Sequence, residues 1–184
     1  MSIEVHLHGS VPLRHGVTLA EIEKALRSLL EYIDEDSLAD ARSVYEDEPG
    51  IVFDPKERLL EICWSGDVGN GFREHVSSAF AALNSYSERA AEVEVTYYHE
   101  DGTDEYQLVF VGPTPEAIHE AQRQAMIDDV SAVLSRQFGD AEIGEVVQLI
   151  NQLFLRASPS AAGRPAGPGT AQVPMSPQHR KRLH

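Results

Sequence analysis

Two histidines stand two residues apart in the opening segment Ile3-Glu4-Val5-His6-Leu7-His8, where apolar and polar residues alternate. Alternation with a period of two marks a strand with one buried face. With Val5 and Leu7 turned inward, Glu4, His6 and His8 share the opposite face. Imidazole and carboxylate together suit zinc, and a His beside a Glu also suits acid–base work. In the run Leu59–Ser65, Glu61 and Cys63 take the same face if Leu60, Ile62 and Trp64 point inward. In Glu92–Glu100, Glu94, Thr96 and Tyr98 do the same. Two histidines, three carboxylates and a thiol therefore converge if these strands are neighbours. The candidate metal ligands are Glu4, His6, His8 and Glu61, with zinc as the ion. The solvent face of a half-buried sheet is polar in any case, so a plain or partner-facing surface accounts for the same residues. Cys63 is the single cysteine and reads as a small, half-buried strand residue. It excludes an internal disulfide and makes a reducing cytoplasm the expected compartment.

Charge supplies the second set of candidates. The chain of 184 residues has thirty Asp and Glu against fifteen Lys and Arg, a formal net charge of −15. Every acidic residue lies in 1–156, whereas 157–184 carry only Arg164, Arg180, Lys181 and Arg182 as charged groups. An acidic body argues against direct nucleic-acid binding and for a protein partner with a basic surface. Two stretches could present that charge. One holds Asp34, Glu35, Asp36, Glu46, Asp47 and Glu48; the other is a hairpin tip with Glu100, Asp101, Asp104 and Glu105. The tip lacks the spacing of a calcium loop, and solvated acidic faces account for both stretches equally well.

Several chemistries find no motif. Gly66-Asp67-Val68-Gly69-Asn70-Gly71 is neither a dinucleotide fingerprint nor a P-loop. No Gly-x-Ser-x-Gly elbow is present. No run approaches the ~18–20 apolar residues needed to span a bilayer, so no membrane contact is expected. The N-terminal residues show no basic start and no apolar signal core, which argues against export by the usual route.

The elements that must position these residues follow from the pattern. Strand 3–8 and a loop at 9–16 precede a helix capped by Thr18 and Glu21 and running to about Ile33, with a shorter helix over Ser37–Val44. Ile51–Phe53 and Leu59–Ser65 form a hairpin, and a glycine-rich loop leads to a helix over 72–86. Strands at 92–100 and 104–111 flank the Asp101-Gly102 turn. Thr114 and Pro115 open a third long helix that Gly139 ends, and Asp140 opens a fourth. The first six elements match the split βαβ order. The expected fold is therefore α+β: a ferredoxin-like βαββαβ core with an extra edge strand and a C-terminal helical hairpin. One acidic domain, 1–156, is followed by a disordered Pro/Gly/Ala-rich tail, 157–184, with a basic end.

Function follows less directly. A small cytoplasmic protein-binding module fits best, an adaptor or an inhibitor/immunity-type protein docking a basic surface. The alternative is a metal-dependent protein or enzyme using the His/Glu cluster on the sheet face. A homodimer is a third expectation, because the apolar stripes of the last two helices need burial somewhere.

Overall fold

The computed structural model describes residues 2–157; the basic tail lies outside the described residues. The chain is α+β. Its strands are β1 (Ile3–Pro12), β2 (Gly50–Asp54), β3 (Leu59–Val68), β4 (Ala91–Tyr98) and β5 (Glu105–Val111). Its helices are α1 (Leu19–Ala25), α2 (Arg27–Tyr32), α3 (Phe72–Leu83), α4 (Pro115–Leu134) and α5 (Asp140–Ala157). The strands form one sheet in the order β2-β3-β1-β4-β5, and every neighbouring pair is antiparallel.

β1 is the central strand, paired with β3 on one side and β4 on the other. It is longer than its alternation suggests, because pairing with β3 continues through Gly9↔Ile62 to Pro12↔Leu59. Inward alternation brings Val5, Leu7, Leu60, Ile62, Trp64, Val93 and Val95 into one core, with Phe72, Phe80 and Leu83 of α3 and Ile22, Leu26, Leu29 and Leu30 beneath them. The fully buried aromatic and aliphatic side chains at this seam each contribute about 1.5–3 kcal/mol by leaving water. One face of the sheet is therefore closed by α1–α3.

Two helical expectations are corrected. The helix after Thr18 is broken at Leu26, where ψ is 4°. The N–H of Leu29 reaches the carbonyl of Leu26 at 2.9 Å, which tightens one turn and lets Leu26 and Leu29 both enter the core. The segment 37–44 is not a helix. It makes a turn in which Asp40 and Ala41 donate to the Ser37 carbonyl, then runs extended beside β3. The Val44 N–H donates to the Ser65 carbonyl at 3.0 Å, and Trp64 Nε1 donates to the Arg42 carbonyl at 2.9 Å. The exposed edge of β3 beyond β2 thus offered this segment stronger partners than its own i−4 carbonyls.

α4 and α5 form an antiparallel hairpin at the other side of the sheet. α4 lines a cleft with Glu92, Glu94, Leu108 and Phe110, residues that alternate with the core-facing ones and so lie on the sheet's second face. It covers the β4–β5 flank of that face and leaves β1 and β3 open, with His8, Ser10 and Glu61 exposed.

Candidate functional site

The open part of the second face is built on β1 and β3. Register places His8 opposite Cys63 and His6 opposite Ser65. Across the other edge of β1, His8 faces Glu94 and His6 faces Thr96. The imidazole rings of His6 and His8 stack at 5.9 Å between centroids and 14° between planes. One ligand atom each from His6, His8 and Cys63 can be chosen so that all three lie within 4.8 Å of one another. Among the described residues this is the group with metal-ligand geometry.

A second layer holds His6. Its Nδ1 lies 2.8 Å from Ser65 Oγ and 3.4 Å from Glu48 Oε1. Ser65 Oγ donates to Glu48 Oε1 at 3.1 Å. A serine has one hydroxyl proton, and here it goes to the carboxylate. Ser65 Oγ is then placed to accept from His6 Nδ1, an arrangement that suits the Nδ1–H tautomer. Ser43 Oγ donates to the other oxygen of Glu48 and accepts the Ser65 N–H at 3.0 Å. The irregular 42–48 segment, which lies against β3 through Val44 and turns at 45–48, is what brings Ser43 and Glu48 here.

The sequence-derived ligand set is thus partly gathered. His6 and His8 come together, joined by Cys63. Glu4 is turned aside, accepting from Tyr45 Oη at 2.7 Å. Glu61 lies exposed on β3 opposite Ser10. Ser43 and Ser65 have no sequence signal as site residues, and Glu48 reads in the sequence only as part of an acidic partner-facing stretch; the pairing of an irregular segment with β3 is what brings them to His6. Burial first, then the negative charges of Glu48 and Asp47, push the Cys63 thiol above the ordinary range.

The acidic stretches are not one surface. Asp34, Asp36, Glu46 and Asp47 are exposed, Glu35 is half-buried, and Glu48 is half-buried and engaged with His6. At the hairpin tip, Asp101 accepts from Thr103, and those hydrogen bonds hold its carboxyl below the usual range. Glu105 pairs with Arg73 at 2.8 Å, Glu100 is exposed and Asp104 half-buried. In the glycine-rich loop the Gly69 N–H is donated to Tyr32 Oη at 2.8 Å.

The second notable surface is the α4–α5 hairpin. Of its twenty- and eighteen-residue helices, only Ile150 is buried. Met126, Val133, Leu149, Leu153 and Leu155 are exposed, as is Phe138 in the link. No helix among the described residues is long and apolar enough to cross a membrane.

The chain belongs to a family of unknown function, DUF6806, whose model matches residues 3–155. No curated protein and no solved structure matches it.

Proposed function

We propose that this chain is a protein-binding module that receives its partner on the α4–α5 hairpin. The observation that carries this reading is the hairpin's exposure. Two helices of this length in a single chain ordinarily bury an apolar stripe, and here Leu149, Leu153 and Leu155 are 55%, 51% and 73% exposed. Exposed apolar patches rimmed by polar groups mark interaction sites. The two helices are acidic: Glu116, Glu120, Asp128 and Asp129 on α4, and Asp140, Glu142 and Glu145 on α5, against Arg123 and Arg156. The partner that fits is a segment with an apolar centre and basic flanks. Its approach is favoured by the chain's net charge of −15.

The sheet is read as a split βαβ arrangement extended at one edge by β5. What supports this is the place of β1 between β3 and β4; with five strands, the full order is not that of the four-stranded form. A reducing compartment such as the cytoplasm suits a chain with one cysteine.

The test is capture with a photocrosslinker at position 152, beside the exposed leucines. The expected result is a crosslinked segment rich in Lys and Arg around apolar residues, lost in the Leu149→Asp, Leu153→Asp double variant. Capture should weaken as the Debye length falls from about 10 Å at 0.1 M salt to about 3 Å at 1 M. A crosslink to a second copy of the chain, with a doubled solution mass, would replace the partner by self-assembly. Capture that ignores both the substitutions and salt removes the reading.

A further inference from the structure

We propose that His6, His8 and Cys63 form a zinc site on the open face of the sheet, with Glu48 as the carboxylate that orients His6. The inference stands apart from the hairpin reading, since it uses β1, β3 and the 42–48 segment alone.

Geometry comes first. Zinc bonded at about 2.0–2.1 Å to nitrogen and about 2.3 Å to sulfur in a tetrahedron needs its ligand atoms roughly 3.3–3.8 Å apart. The three candidate atoms already lie within 4.8 Å of one another, so side-chain rotations of about an ångström complete the triangle. His8 and Cys63 are partners across one rung of the β1–β3 ladder, and His6 is the next residue on the same face. All three anchor points belong to long, paired strands, the kind of support that keeps a site from being loose.

The second layer has the form that metal-bound histidines use. A ligating imidazole donates its other N–H to a carboxylate or a comparable acceptor, which fixes the tautomer and raises the ligand's basicity. In this chain His6 Nδ1–H donates to Ser65 Oγ, which donates to Glu48, which is gripped in turn by Ser43. Ser65 is 2% exposed. A relay of three polar side chains, one fully buried, is more than a surface histidine needs for solvation, and with Nδ1 engaged in it, Nε2 is the nitrogen the proposal assigns to the metal.

The donor set selects the ion. Two imidazoles and one thiolate suit zinc and copper better than magnesium or calcium, which take oxygen. Binding is written as Cys63–SH plus Zn2+ giving the zinc thiolate and one proton released to solvent. The net charge added is one positive unit, and Glu48 beside His6 and Glu94 opposite His8 are placed to offset it. Three protein ligands leave a fourth position, which the exposure of His8 opens to water. Sites of that kind polarise a bound water or carbonyl rather than serve only as a staple.

The experiment is titration of the full chain, stripped with chelator and then reduced, with Co2+ as the spectroscopic probe and Zn2+ in competition. The expected result is saturation at one equivalent, with a thiolate-to-cobalt charge-transfer band, visible bands of tetrahedral intensity, and displacement by zinc. Cys63→Ser should remove the charge-transfer band. His6→Ala with His8→Ala should lower affinity at least ~100-fold, with folding checked by circular dichroism. Glu48→Gln should keep the cobalt spectrum yet weaken zinc binding about 10–100-fold, a split that a merely structural residue would not give. Weak pink octahedral spectra, or binding unchanged in Cys63→Ser, would overturn the proposal by placing the metal elsewhere. If the histidine variants unfold, Cys63→Ser and Glu48→Gln decide alone.

Discussion

The indole of Trp64 fills the space where a β-carbon on Gly66 would stand, with Cη2 2.5 Å and Cζ2 2.6 Å from that point. Trp64 and Gly66 are two apart on β3 and share its inward face, so the ring lies along the strand over the residue that lacks a side chain. Gly66→Ala must push the indole off Phe72, its stacking partner at 6.1 Å, and off its hydrogen bond to the Arg42 carbonyl. Overpacking of this kind costs about 1–3 kcal/mol. At roughly 2–4 °C per kcal/mol for a domain of this size, thermal melting should fall by roughly 2–12 °C. An unchanged melting temperature would show that the indole is not held there.

Thr18 caps α1 with a reciprocal box: its Oγ1 accepts the Glu21 N–H, and Glu21 accepts the Thr18 N–H at 2.9 Å. Thr18→Ala should cost about 1 kcal/mol in urea unfolding. Hydrogen bonds from the Thr18 backbone and side chain hold the Glu21 carboxyl below its ordinary 4.5. A lowered folded value means the contribution is present above 4.5 and lost as pH falls through the folded value. Wild type and Glu21→Ala should differ at pH 7 and converge in acid; a gap that does not narrow as the pH falls below 4.5 would contradict the assignment.

Tyr97 Oη is buried without a hydrogen-bond partner among the described residues. Burial pushes its phenol above the ordinary range, Arg73, 4.7 Å above the ring, opposes the shift, and Glu105 adds to it. Stability linked to this group is full below about pH 10 and is lost as pH rises through the folded value. Tyr97→Phe should change stability at pH 7 by about 1 kcal/mol or less, since no hydrogen bond is removed. It should also blunt the alkaline loss seen in wild type. A large loss at pH 7 would mean the hydroxyl has a partner.

The hairpin separates burial from exposure within one turn of α5. Leu149→Asp with Leu153→Asp should leave unfolding within about 0.5 kcal/mol per site, as for other surface changes. Ile150→Ala, at the buried position of α5, should cost about 2–5 kcal/mol or release the hairpin to proteolysis. Equal sensitivity at all three positions would show that the leucines are already covered.

Strands were the legible part of this sequence, because half-buried strands announce themselves by alternation. That His6, His8, Cys63 and Glu94 each point away from the core follows from that pattern; that their strands are neighbours needs the element order as well. What alternation cannot supply is the partner set of an irregular segment. Residues 37–44 have helix-compatible composition, yet the unpaired edge of β3 wins their backbone groups, and with them come Ser43 and Glu48. Glu48 therefore looked like one more acidic surface residue when it is a buttress for an imidazole. Leu26 is a similar case: its spacing continues a helix, and core packing rather than propensity tightens the turn there. For α4 the apolar positions Ile118, Ile127 and Val130 end half-buried and none of its residues is fully buried, because a stripe in sequence does not say how much surface exists to cover it.

The central place of β1 sets a schedule on synthesis. Its two neighbours are β3 and β4, so the first strand made is the one whose partners come late, 59 residues on for the His6–Ser65 contact. At about 5–20 residues per second, β1 waits roughly 3–12 s for its first long-range rung, and pairing so distant in sequence is slow to form once both strands exist. During that interval an unpaired strand is exposed to other nascent chains. The polar residues Glu4, His6, His8 and Ser10 at every second position, and Pro12 at its end, are of the kind that guard such a strand against intermolecular pairing. The face that carries the histidines thus serves the chain before it is folded.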